Sequence, residues 1–357
     1  MPRRRVYTDV MDVLERKIVS GEYMLRDLPG ERRLAEELGV SYMTARKAVL
    51  GLIDKDVLSR RSNGSLVIHP RFEVEAGRCQ VALLTPAYPS PHFVHCRLAL
   101  SRATSERDIQ FRPVEYMYWE DSIVREAIEG SDGLFVIPST DEIPERVMKA
   151  LMAPGARVVM FDDDKSELGL PSVRLFGRSH IEAVFEHLWS LGHRRIHCLN
   201  AQGHNDEIER RIGHWESWLR ERGGTGELWD NPAPAYQDPV AMAHEEMRRV
   251  LEQDTGDALL GGAVVCTTQP AAVGAMRACY DVGLRIGRDL SICTVNNEPT
   301  GRYFCPSLTG LEMPDIEPLL DRCLTWFAAE PGTPWRGPLR IEPKEPTLFR
   351  GESTGPA

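Results

Sequence analysis

Leu28-Pro29-Gly30-Glu31-Arg32-Arg33-Leu34-Ala35-Glu36-Glu37-Leu38-Gly39-Val40-Ser41-Tyr42-Met43-Thr44-Ala45-Arg46-Lys47-Ala48-Val49 reads as two short helices joined by a tight turn. Leu34, Ala35 and Leu38 recur at helical spacing, and Gly39 ends that stripe where a left-handed residue costs least. Ser41 is placed to cap a second helix in which Ala45, Ala48, Val49 and Leu52 form the apolar side. Tyr42, Met43, Arg46 and Lys47 are left facing outward. A helix pair that docks its second helix in the major groove needs this division.

The flanks extend the pattern. Val6, Val10, Val13, Leu14, Ile18 and Val19 predict a first helix that stops at Gly21. Leu58 to Ile68 predicts a hairpin around Ser62-Asn63-Gly64, entered through Arg60 and Arg61. Helix, helix-turn-helix and basic-tipped hairpin together make a winged helix over residues 1–70. These residues closely resemble the GntR family's N-terminal domain. The resemblance rests on Tyr7, Gly21-Glu22-Tyr23, the Leu28 to Ala35 run and Val40-Ser41-Tyr42-Met43-Thr44-Ala45-Arg46. It implies double-stranded operator DNA as partner, with Arg32, Ser41, Tyr42, Thr44, Arg46 and Gly64 at the interface. Tyr42 stands where that family often has arginine, so a phosphate or thymine-methyl contact is expected there. Arg3, Arg4 and Arg5 read as a tail rather than a groove-seeking arm.

Charge follows this division. The 357 residues carry a net −10, yet residues 1–70 hold 13 Lys and Arg against 10 Asp and Glu, a balance of +3. The remaining residues balance at −13. A phosphate-binding face requires the cationic side to lie where the winged helix lies. No stretch of eighteen apolar residues occurs, and Met1-Pro2-Arg3-Arg4-Arg5 is not followed by an apolar run. The expectation is a cytoplasmic chain with no membrane partner. The eight cysteines are scattered without a Cys-x-x-Cys pair, as buried free thiols would be. His193 and His197 share a strand face but have no third ligand nearby, and Asp162-Asp163-Asp164 reads as a strand-end turn. Neither metal nor cofactor is expected.

Residues 71–78 read as a polar linker, and from residue 79 strands alternate with helices. Strands are expected at Gln80–Thr85, Asp132–Ile137, Arg157–Phe161, Arg195–Leu199, Ala263–Thr267 and Leu290–Val295. Helices are expected at Phe93–Arg107, His180–Leu191, Ile208–Arg222 and Ala271–Val282. Short apolar runs, each followed by a helix, predict α/β architecture with two parallel sheets and a cleft between them. From about Cys79 to residue 357 the chain resembles the LacI/GalR effector domain. The matches are Leu191-Gly192-His193-Arg194-Arg195-Ile196, Arg210-Arg211-Ile212-Gly213, Gly283 to Ile292 and Pro306-Ser307-Leu308-Thr309. A GntR-type head on this two-lobed, periplasmic-binding-protein-like body is a composite seen in AraR-like transcriptional regulators.

That resemblance implies a homodimeric, ligand-responsive repressor of carbohydrate-related genes, whose effector is a sugar or sugar derivative. It implies Phe93, Asp141 and Arg210 as effector contacts, with Gln269 and Asn296 at positions that depart from the family pattern, as Leu175 does. Losing carboxylates there points either to a sugar or sugar derivative with a different hydroxyl pattern or an acidic group, anchored by Arg210, or to a decayed or non-sugar pocket. An enzyme or a secreted binding protein is the weaker alternative. Beyond residue 70 the lysines Lys149, Lys165 and Lys344 lie in polar or Pro-rich settings unsuited to a Schiff base, and no Gly-x-Ser-x-Gly elbow or phosphate loop occurs.

Overall fold

The computed structural model describes residues 3–19, 28–55, 57–60, 65–68, 78–88, 90–234, 236–253 and 259–357. The N-terminal head contains α1 (Arg3–Val19), α2 (Glu31–Glu37) and α3 (Tyr42–Asp54). Strands β1 (Leu58–Arg60) and β2 (Leu66–Ile68) pair antiparallel, with Arg60 opposite Leu66. Leu14, Ile18, Leu34, Val49, Leu52, Val57, Leu58 and Leu66 close on one another as the head's own core. Arg3, Arg4 and Arg5, expected as a tail, form the opening turn of α1 instead. The Gly21-Glu22-Tyr23 turn, the hairpin tip with Gly64 and nearly all of the 71–78 linker lie outside the described residues.

The first lobe of the body begins with β3 (Cys79–Pro86), α4 (Pro91–Ser105), β4 (Ile109–Tyr116) and α5 (Ser122–Glu129). It continues through β5 (Gly133–Val136), α6 (Glu145–Leu151), β6 (Val158–Phe161) and β7 (Ser172–Val173). The second lobe runs through α7 (Arg178–Ser190), β8 (Ile196–Asn200), α8 (Asp206–Arg222), β9 (Leu228–Asp230) and α9 (Pro239–Gln253). Then come β10 (Ala263–Cys266), α10 (Gln269–Asp281), β11 (Ser291–Asn297) and β12 (Thr309–Glu312). The chain returns to the first lobe for α11 (Glu317–Phe327) and β13 (Arg340–Ile341), and ends with β14 (Leu348–Phe349) in the second.

The two six-stranded sheets have the orders β4-β3-β5-β6-β7-β13 and β9-β8-β10-β11-β12-β14. All pairs are parallel except β12 with β14. Each sheet is covered on both faces, which is why the central strands read as unbroken apolar runs. In β3, Val81 and Leu83 pack toward α4 and α11, while Ala82 and Leu84 face the cluster beneath α5 and α6. In the second lobe, Val265 and Cys293 share a core with α7 and α8, while Val264 and Ile292 pack with α9 and α10. His193 is buried, bonding the carbonyls of Gly261 and Gly355 and the Ser291 hydroxyl at 3.0–3.1 Å, so it ties the C-terminal segment to the second sheet.

In each sheet the first strand lies between the second and the third, so connections leave in opposite directions at β3/β5 and β8/β10. Ligands of open α/β sheets bind beyond the carboxyl ends of the strands at such a reversal. The two reversals face each other across the interlobe cleft.

Candidate DNA-binding face and candidate ligand cleft

The head's helix pair is shaped by its turn. Gly39 adopts φ 61°, the Val40 amide donates to the Ala35 carbonyl at 2.9 Å, and the Gly39 amide donates to Glu36 at 3.2 Å. This is the Schellman arrangement, which satisfies the carbonyls at the end of α2 and sets the entry into α3. Ser41 caps α3 by accepting from the Thr44 amide at 3.2 Å, and the two hydroxyls lie 2.8 Å apart. Ala45, Ala48, Val49 and Leu52 are buried, whereas Ser41, Tyr42, Met43, Arg46 and Lys47 are exposed. Arg32 is exposed on α2. The expected contacts Arg32, Tyr42 and Arg46 therefore keep solvent-facing side chains, while Ser41 and Thr44 serve the helix cap. The sequence reading did not include one tie. Tyr42 donates its hydroxyl to Glu31 Oε2 at 3.0 Å, and the Arg60 guanidinium bonds the same carboxylate.

The cleft encloses a cavity of about 660 Å³ whose walls come from the loops after β3, β5, β6 and β7 in one lobe and after β8, β10 and β11 in the other. Phe93, Asp141 and Asn296, expected as effector contacts, line it. Gln269 and Arg210 do not. Gln269 is buried beside the cleft, donating to Asn297 Oδ1 at 3.1 Å and the Glu298 carbonyl at 3.3 Å, and so supports the end of β11. Arg210 turns away to the Phe176 carbonyl and the Glu207 carboxylate. The arginine in the cavity wall is its neighbour Arg211. Its Nε donates to Glu207 Oε1 at 3.0 Å, and its Nη1 reaches the Thr267 carbonyl at 2.6 Å and Asn296 Oδ1 at 3.4 Å.

Helical phase explains the exchange. Glu207, Ile208, Arg211, Trp215, Trp218 and Leu219 form the buried stripe of α8, and Arg210 falls about 60° outside its edge. That stripe was available in the sequence.

Ion pairs at the end of β6 also shape the cavity. His92, in the first turn of α4, sits with Nε2 2.5 Å from Asp162 Oδ2, at the end of β6. Burial opposes charge on both groups, but Cys96 and Asp162 hold the imidazole well above its usual value, and His92 and Arg211 hold the Asp162 carboxyl below its own. Asp162 takes a left-handed φ of 55°, which turns it from the strand into the cavity. Asp163 and Asp164 pair separately, with Lys165 and with Arg174 and Arg340. The Asp162–Asp164 run lies at a strand end, as expected, and all three carboxylates serve in ion pairs.

Glu298 was not among the expected residues. Between Thr294 and Asn297 the β11–β12 register shifts by one residue. Such a bulge re-aims the side chains that follow. Asn296 and Glu298 both line the cavity. Leu175 supplies an apolar wall where the resemblance called for aspartate.

The model of bacterial regulatory proteins of the gntR family matches residues 6–68, and that of the periplasmic binding protein-like domain matches residues 185–317. The HTH-type transcriptional regulator MalR of Streptomyces coelicolor is 26% identical over 177 residues, 46% of this chain and 46% of that protein. The HTH-type transcriptional repressor NagR of Bacillus subtilis is 36% identical over 70 residues, 19% of this chain and 29% of its own length. This chain thus spans about half, or less, of the curated relatives it matches. A LacI family transcriptional regulator from Enterococcus faecium, solved with bound ribose, superposes with a TM-score of 0.63 at 19% identity. That superposition covers 78% of this chain and 99% of that one. The chain carries a winged-helix domain matching the gntR family at its N-terminus and a two-lobed periplasmic-binding-protein-like domain after it.

Proposed function

We propose that this chain is a ligand-responsive, DNA-binding transcriptional regulator, a repressor of carbohydrate-related genes that acts as a cytoplasmic homodimer and not as an enzyme. The observation that carries the reading is the union, in one chain, of a capped helix pair exposing Arg32 and Arg46 with a two-lobed body whose cleft is walled by both lobes. The regulators and repressors among its relatives support it. In this reading, residues 1–70 form the reading head, 71–78 the linker and 79–357 the sensor. Ligand closes the cleft and changes the spacing of two heads on a palindromic operator. Phe93, Asp141 and Asn296 meet the effector, Arg211 takes the place first given to Arg210, and Gln269 acts from behind.

Selection from a random pool of DNA duplexes tests the regulator reading. The full chain should enrich a palindrome with two short half-sites, and Arg46→Ala should lose that preference. A pool that returns no common sequence would remove the reading.

A further inference from the structure

Glu298 is 5% exposed, lines the cavity, and its Oε1 has no hydrogen-bond partner among the described residues. Thr268 stands in the same wall, 8% exposed, and its hydroxyl is also unpartnered among them. A buried carboxylate oxygen left unbonded is costly, so such groups mark places where a partner arrives.

The surrounding charge decides what that partner is. Among the described residues, eight carboxylate side chains line the cavity, against one lysine, one arginine and two histidines. The cations are already committed. Lys165 bonds Asp163 at 2.7 Å and Asp206 at 3.2 Å. Arg211 is spent on Glu207, Thr267 and Asn296, His92 on Asp162, and His204 on Asp230 at 2.8 Å. Among the described residues of this wall, an acidic ligand would meet no uncommitted cation and a surplus of like charge. Among the described residues no three acidic, histidine or cysteine groups converge to hold a metal ion. The cavity's volume suits an organic molecule, and Phe93, Phe161, Leu175 and Phe176 give that molecule an apolar wall.

We propose that the cleft takes a small organic cation, an amine-bearing molecule whose protonated nitrogen sits on the Glu298 carboxylate with its body against the Phe93 side. This rests on the cleft being the effector site and names the class of effector it takes. The ammonium supplies the donors that Glu298 and Thr268 lack, and a charge-assisted bond in a water-poor site is the strong kind.

Calorimetry on the full chain tests this with matched pairs that differ in one group, glucosamine against glucose and 4-amino-1-butanol against 1,4-butanediol. The amine of at least one pair should bind on the order of tenfold or more tightly than its hydroxyl counterpart, and Glu298→Gln should remove that advantage. Binding of the neutral members equal to or tighter than the amines in both pairs overturns the proposal. So does the absence of binding by either amine, and so does an amine indifferent to Glu298→Gln. The wild-type comparison stands without the variant, should the variant fold poorly. An amine that binds here yet leaves affinity for the selected duplex unchanged would support the cation site while removing the cleft as the effector site.

Discussion

Lys165 Nζ stands 3.2 Å from Asp206 Oδ2 and joins the two lobes across the cleft. Lys165 follows β6 in the first lobe, and Asp206 opens α8 in the second. The same ammonium lies 2.7 Å from Asp163, so one cation serves a carboxylate of each lobe. Nearby, Tyr236 of the second lobe donates its hydroxyl to the Met117 carbonyl of the first at 2.7 Å. A Cβ on Gly203 would approach Thr140 to 2.8 Å, so the lobes touch closely there. A cleft held by a few polar contacts can open when they are weakened and close when a ligand bridges the walls.

The Asp206 side chain is 65% exposed, so the pair is screened by solvent and its worth is small. A double-mutant cycle on Lys165→Ala and Asp206→Ala should give a coupling of about 0.2–1 kcal/mol in urea melts. Raising salt to about 1 M should shrink it. A coupling unmoved by salt would mean the contact is not an ion pair in solution.

Asp163 gives the cleft a dependence on pH. Burial pushes its carboxyl up to about 6, from 3.8, against the pull of Lys165. The folded state therefore keeps a proton that the unfolded chain has lost, so stability from this group is full below about pH 4 and declines as pH rises to about 6. Asp206 is held below its ordinary value by Asp163 and Lys165, against the opposing effect of burial, so its contribution runs the other way and is lost only in stronger acid. Asp163→Asn should flatten the decline between pH 4 and 6 in urea midpoints taken at each pH. An unaltered slope in the variant would assign the titration elsewhere.

Arg210 and Arg211 are adjacent but should behave differently. Arg211 is 8% exposed and bonds Glu207, whose carboxyl burial pushes up to about 7. Arg211→Ala leaves that carboxylate half compensated and strips a donor from the Thr267 carbonyl, so a loss of about 3 kcal/mol in stability is expected. Arg210→Ala removes a more accessible partner and should cost about 1 kcal/mol. Denaturant melts of the two variants measure the order, and a reversed order would return the cavity cation to Arg210.

Most of the architecture was legible because the central strands are buried on both faces and read as short apolar runs. The edges were not. In β4, Arg112 is buried among Ile109, Val114 and Tyr116 and Pro113 interrupts the run, so no strand was expected there. Proline is tolerated because β4 is an edge strand. Strands β7, β13 and β14 have two residues each, too few for any period. In the cleft, Phe93, Asp141 and Asn296 were named from the family resemblance, and all three line the cavity. Glu298 was missed because a one-residue bulge, invisible in a single sequence, carries β11 beyond the apolar run. His92 and Asp162 are seventy residues apart, and only the fold brings them together.

The head offers the last test. Glu31 accepts from Tyr42 and pairs with Arg60, so a single carboxylate restrains an exposed tyrosine at the start of α3 and a cation at the wing's base. On DNA, that carboxylate would face a phosphate-rich surface while occupying two groups able to bond it. Glu31→Gln keeps the shape, removes a negative charge and breaks the Arg60–Glu31 ion pair. Affinity for the selected duplex should rise, and the slope of log affinity against log salt should steepen by about one unit as one more cation meets phosphate. Arg46→Ala in the same assay should instead lower affinity by about 1–3 kcal/mol and relax the preference at one position of each half-site. Arg32→Ala should weaken all sequences alike, as loss of a phosphate contact does. Gel-shift titrations across a salt series separate the three outcomes. If Glu31→Gln weakens binding with no change of slope, the carboxylate is holding Tyr42 and Arg60 in their binding positions rather than keeping them from DNA.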